Sequence, residues 1–392
     1  MRKGKKGSKN KSLLLYVVLP VLIVGTLSSL ALYFENPVIK KVQSKRTKVT
    51  IYPKLYSDSH ITENAKITDK RFKQIVISNK KSNLANTINS IPKDTKVSTS
   101  SERENGTWLW TPIEYLTSAY TKTIISDAKK SGIKNIYLSI DSYLDIFSLP
   151  NGEEKDKKRK EFGDTIERFI RTARINGITV DAEAGWRNWA EKSNLYKPYA
   201  VLNYAQEYNR TRTEKFRGFQ FDVEPYLLEE YQTDRGEVLY NLVDMVNQTV
   251  SLLEDSDLRL SVVIPEFYDG ANDETPKFNY EGKTTYTVDH LLRVLDQRPG
   301  SSIIVMSYRN FSLGNDGSVE ISQNEIDAGN NHRTKIIIAQ ETGDFQPPYI
   351  TFYNTNHKYY KKQVGIINEK FSKEKSFGGI ATHYVNAMLE LK

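Results

Sequence analysis

The sequence predicts an α/β protein with a (β/α)8 barrel at residues 107–392, preceded by one transmembrane helix and a short stalk or small β-module. Eight short apolar segments recur along the chain, and each ends in polar or aromatic residues. They start 28 to 44 residues apart, which leaves room for a strand, a helix and their loops. Strands that alternate with helices indicate a parallel sheet. Eight such units in about 285 residues are typical of a closed barrel.

The predicted elements follow one another in a regular order. The strands are Thr107–Thr111, Asn135–Asp141, Ile178–Glu183, Gly218–Glu224, Leu258–Glu266, Ser302–Tyr308, Lys335–Glu341 and Gly378–His383. The helices between them are Pro112–Ser131, Lys157–Asn176, Lys197–Arg212, Asp234–Leu253, Thr287–Asp296, Ser322–Ala328 and Asn356–Phe371. In Lys157–Asn176, apolar residues recur every three or four positions, as on one face of a helix. A doubly wound open sheet is the alternative, but no Gly-x-Gly-x-x-Gly follows the first strand.

The N-terminal region predicts a membrane anchor. Met1–Ser12 is basic, with no acidic residue, and Leu13–Tyr33 contains no charge and is long enough to span a bilayer. Basic residues before the span favour a cytoplasmic N-terminus and place the rest outside the cell membrane. A cleaved signal peptide is the alternative, because Ser29–Ala31 is a weak cleavage signal. We expect Phe34–Gly106 to form a stalk or a small accessory β-module.

The composition excludes several kinds of chemistry. The chain contains no cysteine, which excludes disulfides, thiolate catalysis and cysteine metal sites. The formal net charge is +8, but six basic residues lie in Met1–Ser12, so the charge does not indicate nucleic-acid binding. No Gly-x-Ser-x-Gly is present for serine chemistry. No metal or cofactor is predicted, because no two of the five histidines are spaced as a close ligand pair. They are His60, His290, His332, His357 and His383. A Ca2+ or Mg2+ ion bound by carboxylates is the alternative.

The end of the fourth predicted strand indicates acid–base chemistry. Side chains two residues apart lie on the same face of a strand, so Asp222 and Glu224 lie side by side. Burying two like charges raises the pKa of one of them. A carboxyl group that keeps its proton near neutral pH can act as a general acid.

The other strand ends carry carboxylates and aromatic rings, which would meet at one face of a barrel. This combination is typical of carbohydrate sites, because sugar rings pack on aromatic faces and carboxylates bind hydroxyl groups. The predicted substrate-binding residues are Trp108, Trp110, Asp181, Glu183, Trp186, Tyr226, Glu266, Tyr268 and His383. Tyr308 and Glu341 join Asp222 and Glu224 as predicted catalytic residues.

The fourth and sixth strands resemble those of glycoside hydrolase family 18, the chitinase-like barrels. Asp222-x-Glu224 matches the end of the Asp-x-x-Asp-x-Asp-x-Glu signature, and Met306-Ser307-Tyr308 matches the Met-x-Tyr-Asp of the sixth strand. The resemblance implies that Glu224 is the general acid/base, that Asp222 orients the N-acetyl group of the substrate, and that Tyr308 hydrogen-bonds that group. Arg217 and Gln220 replace the two earlier aspartates, and Arg309 replaces the final one.

A second resemblance is to the clan of retaining glycosidases with catalytic glutamates on strands four and seven. Glu224-Pro225 is similar to the acid/base position of that clan, and Glu341 stands where the nucleophile would be. Val223 replaces the usual asparagine. The resemblance implies a covalent intermediate, with the two carboxyl groups about 5–5.5 Å apart. Glu224 is the acid in both interpretations.

The sequence therefore predicts a membrane-anchored, extracytoplasmic glycoside hydrolase, retaining rather than inverting, that cleaves a cell-surface or secreted polysaccharide. The alternative is a tethered carbohydrate-binding barrel without catalysis. Two loops rich in aromatic residues would form sugar subsites for an endo-acting enzyme. Their aromatic residues are Tyr268, Phe278, Tyr280 and Tyr286 after the fifth strand, and Phe345, Tyr349, Phe352 and Tyr353 after the seventh.

Overall fold

A computed structural model describes residues 103–271 and 274–392, and it contains the predicted barrel. Eight parallel strands close in the order β1–β2–β3–β4–β5–β8–β9–β10, and β10 pairs with β1. Their bounds are β1 Glu104–Leu109, β2 Asn135–Ser139, β3 Thr179–Ala184, β4 Gly218–Phe221, β5 Arg259–Pro265, β8 Ser302–Met306, β9 Lys335–Glu341 and β10 Phe377–His383. The predicted (β/α)8 barrel is confirmed.

Helices surround the barrel. They are α1 Ser118–Lys130, α2 Tyr143–Ser148, α3 Glu153–Ile175, α4 Tyr196–Thr211, α5 Arg235–Leu252, α6 Thr287–Leu295, α7 Gln323–Gly329, α8 His357–Lys370 and α9 Val385–Glu390. Two features differ from the predicted order. The connection from β2 to β3 contains two helices, and the long loop after β5 contains an antiparallel hairpin, β6 Phe278–Tyr280 and β7 Lys283–Thr285.

The alternation of side chains along each strand produces two cores. On β4, Phe219 and Phe221 are fully buried in the core between strands and helices. Gln220 points the other way, into the barrel, where its Oε1 accepts a hydrogen bond from the indole N–H of Trp108 (2.6 Å). Trp108 belongs to a second apolar cluster inside the barrel. Side chains therefore fill the barrel interior, and a substrate could reach the barrel only at the ends of the strands.

An ion cluster occupies the end of the barrel where the strands begin. Arg217, the residue before β4, donates to Asp181 (Nε to Oδ1, 2.9 Å) and to both carboxylate oxygens of Glu104 (3.0 Å each). Asn135 donates to Asp181 as well (3.1 Å). Glu104 and Asn135 are the first residues of β1 and β2, so this cluster lies at the amino ends of the strands.

The predicted anchor Leu13–Tyr33 and the stalk or module Phe34–Gly106, up to residue 102, lie outside the described residues. Within residues 103–271 and 274–392, no helix combines the length and the apolar character needed to cross a membrane.

Candidate active site

Asp222 and Glu224 follow directly on β4, which ends at Phe221, earlier than predicted. The N–H of Asp222 donates to the carbonyl of Ala184 at the end of β3 (3.2 Å). The backbone of Gly185 passes so close to Asp222 that a Cβ at this glycine would lie 1.7 Å from the Asp222 carbonyl oxygen. The two strand ends therefore fix the backbone of Asp222 at the mouth of the barrel.

Glu224 is half-buried and has a phenol partner two residues further along the chain. The short 3-10 turn Pro225–Leu227 brings the hydroxyl of Tyr226 back onto Glu224 Oε1, to which it donates a hydrogen bond. Burial raises the pKa of Glu224, while the Tyr226 hydroxyl and the nearby His383 lower it, and the net shift is upward. Glu224 therefore retains a proton at a higher pH than an ordinary glutamate does.

Two more carboxyl groups lie beside Asp222. Burial and the charge of Glu224 raise the pKa of Asp222 to about 8. Glu183 on β3 is fully buried, and burial together with Asp222 and Asp141 raises its pKa well above the ordinary value. Burial raises the pKa of Asp141 to about 6, although the Ser139 hydroxyl donates to its carboxylate (3.1 Å). Asp141 is not among the predicted site residues. Its position at the end of the second predicted strand is the sequence feature that could have identified it.

His383, the last residue of β10, has both ring nitrogens engaged. Its Nδ1 lies 2.6 Å from Oε2 of Glu341, and its Nε2 lies 3.0 Å from the indole nitrogen of Trp110. An indole N–H only donates, so Nε2 must accept, and this contact requires the neutral tautomer with the proton on Nδ1. Burial lowers the pKa of His383, but the carboxylates of Glu341, Asp222 and Glu224 outweigh it and raise the pKa overall. The Trp110 contact opposes that rise, because an imidazolium would place two donors face to face.

Glu341 is enclosed by its partners. It is 1% exposed, its Oε2 accepts from His383, and its Oε1 accepts from the backbone N–H of Gly343 (2.5 Å). Both carboxylate oxygens are therefore used within the protein. This geometry does not match the exposed nucleophile that the second resemblance implies, and it makes Glu341 a support for His383.

Aromatic rings surround His383 at the mouth of the barrel. The ring of Tyr308 lies nearly parallel to the imidazole, with centroids 6.2 Å apart, and Phe345 and Tyr384 lie at 6.2 and 5.3 Å. Burial and the carboxylates of Glu341, Asp222 and Glu224 raise the pKa of Tyr308 well above the ordinary value. Tyr308 is therefore a neutral phenol beside the carboxyl groups, able to donate one hydrogen bond.

Glu266 and Arg309 lie at the edge of the same face. Arg309 NH1 is 3.6 Å from a carboxylate oxygen of Glu266, while NH2 donates to Asp316 (2.7 Å). The guanidinium also covers the ring of Tyr349 at 5.5 Å. Burial raises the pKa of Glu266. In the resemblance to family 18, Arg309 replaces an aspartate, and here it is paired with two carboxylates.

Three predicted substrate-binding residues lie away from the open face. Asp181 is bound to Arg217 at the opposite end of the barrel, and Trp108 is 1% exposed in the barrel interior. Tyr268 is fully buried behind Tyr226, with ring centroids 6.3 Å apart. The structure therefore places these three residues away from the face at which substrate contact is predicted. Trp186 is half-buried after β3, with Arg187 over its ring (5.6 Å).

The predicted aromatic subsites are also partly core. Phe278 is 9% exposed, while Tyr280 and Phe352 are 1% and 0% exposed. Tyr280 packs against Tyr240 of α5 (5.2 Å), and Phe352 packs against Tyr360 of α8 (5.0 Å). Tyr349 and Tyr353 are exposed, Phe345 contacts His383, and Tyr286 is half-buried beneath Lys277. Position in a loop predicts the same subsite role for all of these aromatic residues, but the structure shows that some are buried in the core and others are exposed.

No protein-family model and no curated protein matches this sequence. Solved structures with a similar fold include the β-mannanase from blue mussel, Mytilus edulis, at 12% identity, covering 73% of this chain and 89% of that one, with a TM-score of 0.45. A family GH18 chitinase from Cycas revoluta in complex with allosamidin matches at 13% identity, 73% and 96% coverage, and a TM-score of 0.45. The PgaB (BpsB) glycoside hydrolase domain from Bordetella bronchiseptica matches at 8%, 74% and 95%, with a TM-score of 0.43. The barrel itself is established by the closed order of the eight parallel strands in this structure.

Proposed function

We propose that this chain is a glycoside hydrolase that cleaves a polysaccharide with Glu224 as general acid and base. One observation carries the proposal: Asp222 and Glu224 are neighbouring carboxyl groups that follow β4 at the barrel mouth, and burial raises the pKa of both. An acid catalyst must hold its proton near the working pH and release it to the leaving oxygen. The Tyr226 hydroxyl supports this role, because it donates a hydrogen bond to Glu224 and so orients its carboxyl group.

The arrangement favours a substrate-assisted, retaining reaction. Glu224 gives its proton to the glycosidic oxygen while the N-acetyl oxygen of the same sugar attacks the anomeric carbon, and the glycosidic bond breaks. Asp222 faces the developing positive charge, and the neutral phenol of Tyr308 donates a hydrogen bond to the N-acetyl group. Glu224 then takes a proton from water, which opens the cyclic intermediate and restores the original anomeric configuration.

The enclosure of Glu341 argues against the alternative mechanism with a glutamate nucleophile. A nucleophile needs a free oxygen directed at the substrate. Both oxygens of Glu341 accept hydrogen bonds, from His383 and from Gly343. In our proposal Glu341 holds His383, and His383 forms part of the aromatic floor under the sugar.

We further propose that the enzyme is a single-pass protein of the cell membrane, with the barrel outside the cytoplasm. The basic segment Met1–Ser12 and the uncharged segment Leu13–Tyr33 support this topology. The substrate would then be a cell-surface or secreted polysaccharide near the producing cell. Protease protection of the barrel in intact cells would contradict this topology, and its digestion from outside would support it.

A reducing-end assay tests the activity. Full-length protein in mild detergent is incubated with a panel of polysaccharides that includes N-acetylated and neutral polymers. We expect wild-type activity on an N-acetylated polymer and a loss of 100-fold or more in Glu224→Gln, since general acid catalysis contributes roughly 10²–10⁴-fold. Glu229→Gln, the same substitution at an exposed residue of the same loop, is the matched control and should be fully active.

Two results would contradict the proposal. Equal activity of wild type and Glu224→Gln would remove Glu224 from the reaction. Binding of a polysaccharide by both proteins, with hydrolysis by neither, would favour a carbohydrate-binding barrel without catalysis.

A further inference from the structure

Glu183 occupies a layer of the barrel directly beneath the proposed catalytic residues. In the strand register it pairs with Ser139 on β2 and with Gln220 on β4. The next residues on the same face are Asp141 after β2 and Asp222 after β4. On β3 the next residue on that face is Gly185, which has no side chain. The carboxyl group of Glu183 therefore lies below a gap flanked by Asp141 and Asp222.

The charged form of the Glu183 carboxyl group is poorly stabilised: burial, Asp222 and Asp141 disfavour it, and the Ser139 hydroxyl favours it only in part. The residue is 0% exposed, and neither Oε1 nor Oε2 has a hydrogen-bond partner among the described residues. Oδ1 of Asp222 is likewise buried without one. The neighbouring hydroxyl, that of Ser139, donates to Asp141. An ionised carboxylate that is buried without donors is among the most costly groups in a protein interior.

The neighbours of Glu183 differ in how well they stabilise a negative charge. Asp141 is half-buried and accepts from Ser139, and Asp222 is half-buried and interacts favourably with His383. The charged groups that act on Glu183 are the carboxylates Asp222 and Asp141, which both disfavour its ionisation. When the three carboxyl groups of Asp141, Glu183 and Asp222 cannot all ionise, a proton remains on the carboxyl group whose negative charge is least stabilised. That group belongs to Glu183.

We propose that Glu183 is a positioning residue that remains a neutral carboxylic acid and leaves the negative charge of the cluster to Asp141 and Asp222. This inference rests on the proposed function of Asp222 and Glu224. Because Glu183 keeps its proton, Asp222 can ionise when positive charge develops on the sugar. An anionic Glu183 would add a further negative charge beside Asp222 and oppose that ionisation. The role differs from the substrate contact predicted for Glu183.

Infrared spectroscopy tests the protonation state without an assay of activity. A protonated carboxyl group has a carbonyl stretching band that a carboxylate lacks. Glu325 is also fully buried, and burial raises its pKa well above the ordinary value, so the measurement uses full-length Glu325→Gln protein. This protein should retain such a band at pH 9, and adding Glu183→Gln should remove it. Asp141→Asn is the matched control and should leave the band unchanged, since the pKa of Asp141 is about 6 and its carboxyl group is ionised there.

Kinetics test the positioning role. Gln has the shape and neutrality of a protonated Glu, so Glu183→Gln should keep kcat and KM within about threefold of wild type. Glu183→Asp returns an ionisable carboxyl group, displaced by one methylene, and should lower kcat more than Gln does with KM little changed.

Each possible outcome decides a separate claim. An infrared band that survives when Glu183→Gln is added to Glu325→Gln overturns the inference, whatever the activity. A loss of 100-fold or more in kcat for Glu183→Gln also overturns it, because Glu183 would then act as an ionised or proton-transferring group. If the wild type hydrolyses none of the polymers, the proposed function fails and the positioning role fails with it, while the band still decides the protonation of Glu183.

Discussion

At the scale of single residues, the site depends on how each carboxyl group is stabilised. Glu224 has one phenol partner, Glu341 has two donors, and Glu183 has none. In our proposal these differences give three residues of the same chemistry three roles: Glu224 is the acid catalyst, Glu341 supports His383, and Glu183 is a neutral positioning residue. Identical side chains acquire different functions through burial and hydrogen bonding alone.

The first prediction at this scale concerns the phenol partner of Glu224. The Tyr226 hydroxyl stabilises ionised Glu224 and lowers its pKa, so Tyr226→Phe should raise that pKa further. The alkaline limb of the kcat/KM profile should move to higher pH, and kcat should fall by about tenfold, the equivalent of one ordinary hydrogen bond. Tyr240→Phe, on the outer helix α5, is the control. An unchanged alkaline limb in Tyr226→Phe would show that Glu224 does not control it.

The second prediction separates the two mechanisms. Glu341→Gln keeps one acceptor oxygen but replaces the other by an amide, which disturbs the contact with His383. We expect a loss of about tenfold in kcat, measured on the same polymer, and no covalent sugar adduct in rapid-quench mass spectrometry. A loss of more than 1,000-fold, with activity restored by azide in Glu341→Gly, is the result expected of a nucleophile and would contradict our assignment.

At the scale of elements, close packing between β3 and β4 sets the position of Asp222. A Cβ at residue 185 would overlap the Asp222 carbonyl oxygen, so the two backbones can approach only because residue 185 is glycine. In our proposal the strands carry the chemistry at their carboxyl ends, while the cluster around Arg217 closes their amino ends. Function and stability are thus assigned to opposite ends of the same strands.

Gly185→Ala tests this packing. The methyl group must displace the backbone of Asp222, so we expect kcat to fall at least tenfold and stability to fall by about 1–3 kcal/mol. The control is Gly365→Ala in α8, where nothing lies within 4 Å of the added methyl group and alanine favours the helix. Calorimetry and the polymer assay together check both effects. Full activity in a stable Gly185→Ala protein would contradict the argument.

The sequence predicts the elements better than it predicts the depth of a residue in the barrel. Period-two alternation places Asp181 and Glu183 on one face of β3, and the structure agrees. It does not show that Asp181 is bound by Arg217, because that contact joins residues 36 positions apart. Loop position likewise does not distinguish Tyr349, which is exposed, from Phe352, which is buried against α8. Depth and burial arise from tertiary packing, which one sequence does not display.

At the scale of the whole molecule, the buried carboxyl groups link stability to pH. Asp222, whose pKa is raised to about 8, and Asp141, raised to about 6, hold protons in the native state that the unfolded chain releases. The native state therefore binds more protons between the ordinary carboxyl pKa and these values. The stabilisation that comes from protonated Asp222 and Asp141 is therefore fully present below about pH 4, and it is lost as the pH rises towards 8.

Asp222→Asn tests the linkage. It removes the titrating group but keeps the shape, so the melting temperature should fall less between pH 5 and pH 8.5 than in the wild type. Differential scanning calorimetry measures the difference, which should amount to at least about 2 °C at pH 8.5. Glu229→Gln is the exposed control. Parallel curves for wild type and Asp222→Asn would indicate that Asp222 titrates normally in the folded protein.

The most direct test of the central claim uses leaving groups of different acidity. A general acid is needed to expel a sugar oxygen, but an aryl group of low pKa leaves without a proton. Full-length wild type and Glu224→Gln are compared on the polymer and on a dinitrophenyl glycoside of the same sugar, with the first burst of aryl release as the readout. We expect Glu224→Gln to lose 100-fold or more on the polymer and less than tenfold in the aryl burst. Equal losses on both substrates, or none on either, would contradict the assignment of Glu224 as the acid.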